Sequence, residues 1–79
     1  MATIQQIKAA RALLEWSQED LAERTGQSIA TIRRFESPSK YPVSDEARLK
    51  MEAALEAAGI EFTNGKKPGV RLNKGSGKE

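Results

Sequence analysis

Residues 17–36 read SQEDLAERTGQSIATIRRFE, and this stretch decides the fold. Ser17 followed three residues later by Asp20 is a capping box, and Trp16 just before it is placed to staple onto Leu21. The helix so started ends at Gly26, the residue type that takes the left-handed conformation at least cost. Only Gln27 separates Gly26 from Ser28, the N-cap of a second short helix that runs to Glu36 with Ile32 and Phe35 inward. Two helices joined by so tight a turn cross steeply. The crossing needs a small residue where they touch, a glycine at the turn and a branched apolar wedge on the second helix. Ala22, Gly26 and Ile32 supply these, backed by Leu21 and Phe35, and the outer face of the second helix stays free.

Outward from this stretch, the chain predicts two further helices. Thr3 caps the first and Gln6 completes its capping box; Ile4, Ile7, Ala10 and Leu14 build one apolar face. Arg11 falls on that same face, and a charge there needs a partner. After Glu36, Pro38 and Pro42 mark an irregular connection. Ser44 then caps a helix with Asp45 and Glu46 in its first turn, where carboxylates suit the helix dipole. Its inward stripe is Ala47, Met51, Ala54, Leu55 and Ala58, and Gly59 ends it.

Beyond Gly59 the apolar period falls from 3.6 to 2. Ile60–Thr63 and Val70–Leu72 alternate, with Asn64-Gly65 and Pro68-Gly69 as turn chemistry between them. This predicts a small hairpin with a loop of about six residues. Such a hairpin is marginal alone, so it packs on the fourth helix or pairs with another chain's edge. The expected organisation is mostly α: residues 1–59 as a four-helix domain, 60–72 as the hairpin, and 73–79, with Gly75, Ser76 and Gly77, as a disordered tail.

Composition narrows the chemistry. Seventy-nine residues permit one small domain, and with neither cysteine nor histidine there is no thiol nucleophile, disulfide or usual zinc-ligand set. Apolar residues make up 38% and aromatics 5%. No window approaches the ~18 consecutive apolar residues a membrane span needs, and Met1–Leu14 is amphipathic rather than a signal peptide. The net charge of +2 is unevenly spread. Residues 24–43 carry Arg24, Arg33, Arg34 and Lys40 against Glu36, a net of +3, and residues 62–79 reach +4, while the other two segments are acidic. The carboxylate pairs Glu19/Asp20 and Asp45/Glu46 are first-turn residues of helices rather than a general acid and base, no glycine-rich phosphate loop follows a strand, and the chain has no room for a substantial pocket. An enzyme is therefore not expected, and neither are a cofactor, a metal or a small-molecule effector site.

These features together resemble the phage-repressor and Cro-like helix-turn-helix family, often labelled XRE. The resemblance runs from about Ile4 to Ala58 and rests on the Ser17-Gln18 start, Leu21-Ala22, Gly26, Ser28 and Thr31-Ile32. Arg11 and Glu36 belong to it, since family members often pair an arginine late in helix 1 with a glutamate ending the recognition helix. Here the two are read as a fold-stabilising ion pair. Departures are Ser37-Pro38, where a glycine commonly follows the glutamate, and Thr25 and Gln27, where apolar residues are more usual. The resemblance implies a lambda-repressor-like DNA-binding domain whose second motif helix enters the major groove.

On that helix, Arg34 presents a fork able to take guanine O6 and N7, a contact worth about 1–3 kcal/mol of discrimination. The resemblance points to the same position as a base reader. Arg33 lies on the flank, where a phosphate is its first role and a base edge its second. Ile29 and Ala30 carry no donors and suit thymine methyl groups; the alternative for Ile29 is folding back onto the core. Gln18 sits where backbone amides converge on a phosphate, and the family uses its equivalent glutamine in this way. Ser28 and Thr31 add phosphate hydrogen bonds, although capping alone accounts for Ser28. Gln27 has two readings, a DNA-facing side chain or a solvated turn residue. Lys40 and Tyr41 either touch the flanking backbone or stay in solvent.

One recognition helix reads only a few base pairs, so the family usually acts as two-fold dimers on half-sites about 10 base pairs apart. The hairpin and the end of helix 4, with Leu49 on its otherwise polar side, are the candidate homodimer surface; a monomer whose hairpin covers its own core is the alternative. The expected function is a sequence-specific, cytoplasmic transcriptional repressor bound to double-stranded operator DNA. The alternative is an antitoxin-like interaction module whose basic tail wraps a toxin partner.

Overall fold

The structure is a computed structural model that describes residues 2–37 and 43–73. Four helices, α1 (Ile4–Leu14), α2 (Gln18–Thr25), α3 (Ile29–Glu36) and α4 (Asp45–Ala57), precede an antiparallel hairpin of β1 (Ile60–Thr63) and β2 (Gly69–Leu72). Pro38, Lys40, Tyr41, Pro42 and the tail from Lys74 lie outside the described residues.

Each helix starts where the sequence places it, because each start is a local hydrogen-bonding event. Thr3, Ser17, Ser28 and Ser44 are the four N-caps, and each side chain accepts from a backbone amide three residues on. The first two are full capping boxes with Gln6 and Asp20. Gly26 closes α2 at φ +69°, with its own N–H and that of Gln27 returning to the carbonyls of Glu23 and Ala22. The end of α1 is less readable. It closes on Glu15 at φ 59°, a left-handed residue that is not glycine, and Trp16 N–H then bonds Arg11 O at 2.9 Å.

The core draws one large, fully enclosed side chain from each of α1, α2 and α3 (Ile7, Leu21, Ile32) and two from α4 (Met51, Leu55). Such a side chain stabilises the fold by about 1.5–3 kcal/mol. Ala10 and Ala22 are buried among them.

The hairpin belongs to this core. β1 packs against α4 and β2 against α1, with Ile60 buried and Phe62, Val70 and Leu72 packed from the rim. Of the two packings expected for it, the one on its own chain is present, and α1 contributes as well as α4. The second strand begins at Gly69, one residue before the alternating pattern, because Gly69 pairs with Thr63; the loop is correspondingly shorter. Asn73 N–H closes the open end on Gly59 O at 2.7 Å.

Candidate nucleic-acid interface

The strongest division between two faces lies on α3. Ile32 is fully buried and Phe35 and Glu36 nearly so, whereas Ala30, Arg33 and Arg34 are exposed. Helical spacing produces this, since 32, 35 and 36 share one side and 30, 33 and 34 the other. Among the described residues, neither Arg33 nor Arg34 takes part in an ion pair, so an exposed helix face carries two unneutralised guanidinium groups. Ile29 is half-buried and packs against the core. Only part of it faces outward, between the two readings the sequence allowed. Ser28 Oγ accepts from Thr31 N–H at 3.2 Å and pairs with Thr31 Oγ1 at 3.0 Å, so both hydroxyls already serve the start of α3.

A largely buried polar network ties α3 to α1 and to the start of α2. Glu36 receives both arms of a forked bond from Arg11, Nε to Oε2 at 2.8 Å and Nη2 to Oε1 at 2.7 Å. The third nitrogen, Nη1, donates to Trp16 O at 2.8 Å. The arginine on an apolar face therefore has the partner expected of it. Gln18 Nε2 also donates to Glu36 Oε1, at 3.1 Å. Burial acts to raise the Glu36 pKa, but hydrogen bonds from Arg11 and Gln18, with the charges of Arg11 and Lys8, outweigh it and hold the carboxyl below its usual value. Gln18 is thus anchored from beneath at the first turn of α2, with a second N–H on the same nitrogen left for another acceptor.

Two features of the surface were not legible in the sequence. The start of α4 joins it: Thr31 and Arg34 line one side of a groove, and Ser44 and Ala47 the other. Ser44 announces itself only as a cap, and nothing local says which neighbour its helix end meets. Gln27, at the floor of the groove, is half-buried and donates from Nε2 to Ala47 O at 3.1 Å. Its amide is therefore engaged within the protein, an arrangement neither reading of this residue contained. Lys40 lies outside the described residues.

Exposed arginines on a helix held by a tight turn, with a glutamine at the preceding helix start, suit a polyanion of regular shape better than a small substrate. The sequence profile of a family described as Helix-turn-helix matches residues 7–57, from within α1 to the end of α4. No curated protein matches the chain. The match covers more than half of the sequence and all of the turn geometry described above, and the chain belongs to the phage-repressor and Cro-like (XRE) helix-turn-helix family of DNA-binding regulatory domains.

Proposed function

We propose that the protein is a sequence-specific repressor that occupies operator DNA as a dimer, with α3 in the major groove. The observation that carries this reading is the outward face of α3, where Arg33 and Arg34 stand exposed and unpaired among the described residues. Arg34 reads a guanine through a bidentate contact, and Arg33 takes a phosphate. Ala30 and the exposed part of Ile29 meet thymine methyl groups. Gln18, Ser28 and Thr31 hold phosphates, and Lys40 extends the backbone contact on the flank. The work is done in the cytoplasm, where a repressor of this kind meets its promoter.

Dimerisation follows from the small footprint of one helix. Leu49 on α4 is 51% exposed, and each hairpin strand has one edge unpaired among the described residues. These supply the second interface in our reading. Selection of binding sites from random duplexes at fixed salt tests function and assembly together. An enriched inverted repeat is expected. A single unrepeated half-site removes the dimer, and no enrichment removes sequence-specific binding altogether.

A further inference from the structure

Thr25 and Gln27 flank the turn glycine and form a polar bridge. The Gln27 side chain bonds in two directions: Nε2 donates to Ala47 O at 3.1 Å, and Oε1 accepts from Thr25 Oγ1 at 3.2 Å. Thr25 Oγ1 also lies 2.8 Å from Leu21 O and 3.2 Å from Ala22 O, so its single proton is shared among three acceptors. Ala47 is itself fixed, because its N–H is held by the Ser44 cap at 3.2 Å. The bridge therefore runs from the last turn of α2, through the residue just before the α3 cap, to the first turn of α4.

The position of that bridge gives it a consequence. Eight residues, 37–44, separate α3 from α4 in sequence, where three separate α2 from α3. Gln27 ties the start of α3 to the start of α4 directly, and the groove it floors is lined by Thr31 and Arg34 on one side and Ser44 on the other. Bidentate base reading tolerates displacements of only about 0.5 Å, so a change in this spacing reaches the Arg34 fork.

Resting on the DNA-binding reading above, we propose that Gln27 is a positioning residue for recognition, acting through α4 rather than by touching DNA. It sets the gap between α3 and α4 and so the reach of Arg34 into the groove. Gln27→Met keeps the length of the side chain and removes both hydrogen bonds. Measured at a temperature where circular dichroism shows the variant folded, it is expected to bind the selected duplex about tenfold more weakly, the scale of one lost hydrogen bond, with random-duplex affinity unchanged. The base preference that weakens is the one that Arg34→Ala also weakens. Thr25→Val acts on the same bridge, so the double variant loses no more than Gln27→Met alone.

Relaxation at a base position that Arg34→Ala leaves intact, an equal loss on all duplexes, or a lower melting temperature with an unchanged preference each overturns the proposal. A readout on the unmodified full chain avoids dependence on the variant's folding. The Gln27 side-chain amide protons should exchange slowly in the free protein and shift little when the duplex is added. Fast exchange in the free protein, or a large shift on binding, overturns the assignment. Failure to select any duplex overturns the DNA-binding reading itself and is distinguishable from all of these.

Discussion

The two ends of α1 are fastened to the rest of the molecule by different chemistry. Near the N-terminal end the tie is a neutral amide. Gln6, 4% exposed, donates from Nε2 to Thr63 O and Gly69 O, both at 2.8 Å, while its Oε1 accepts from Thr3 N–H at 2.8 Å. One side chain thus completes a capping box and clamps both strands of the hairpin beside its loop. Near the C-terminal end the tie is ionic, with Arg11 forked onto Glu36 and bonded to Trp16 O. Each tie satisfies buried polar groups across elements far apart in sequence. They differ in what holds them: the amide is indifferent to pH, and the ion pair is not. The ionic tie lies under the recognition helix and the neutral one under the hairpin, so the two halves of the domain should respond differently to the same perturbation.

The largest effect should come from breaking the ionic tie on one side only. Glu36→Ala leaves a guanidinium enclosed without its counter-charge and is expected to cost about 3–5 kcal/mol in urea denaturation, enough to unfold much of a domain this small. Replacing both partners, Arg11→Met with Glu36→Leu, should cost far less, because no charge is left behind. If the double variant loses as much stability as Arg11→Met and Glu36→Leu lose together as single changes, the pair contributes nothing as a pair. The same tie sets the acid response. Glu36 is held below its usual pKa in the folded protein, so its stabilisation is fully present above the ordinary glutamate range and fades as the pH falls through the lower folded value. Glu36→Gln should remove that part of the acid slope.

A smaller and pH-independent loss is expected at the other end. Gln6→Ala strips the donor from two strand carbonyls and the acceptor from Thr3 N–H, which costs about 1–3 kcal/mol where the groups stay enclosed. Amide exchange should quicken in Ile60–Leu72 more than in α2 and α3. Uniform quickening across the chain would mean that the hairpin is not separately clamped.

How much of this could be read in advance follows the range of each interaction. The four N-caps were legible because Thr3, Ser17, Ser28 and Ser44 each bond a residue three positions away. The Arg11–Glu36 tie was legible too, since a charge on an apolar face demands a partner and the resemblance supplies one. The α3 faces followed from the spacing of Ile32 and Phe35. Gln6 was read only as half of a capping box, because the carbonyls it clamps lie 57 and 63 residues away. Gln27 escaped for the same reason: its acceptor is Ala47, on a helix whose approach to the turn is a matter of tertiary packing. The left-handed Glu15 had no signal, since glycine is the residue that usually announces such an end.

Reading of base sequence by the exposed face of α3, as proposed above, is tested most directly by Arg34→Ala. Binding of this variant should be measured across a panel of duplexes carrying every single substitution in the selected site, at one salt concentration. Preference should collapse at one position in each half-site, a guanine, by about 1–3 kcal/mol, with the remaining positions discriminated as before. A loss equal on every duplex would make Arg34 a phosphate contact and contradict the assignment of base reading to this face.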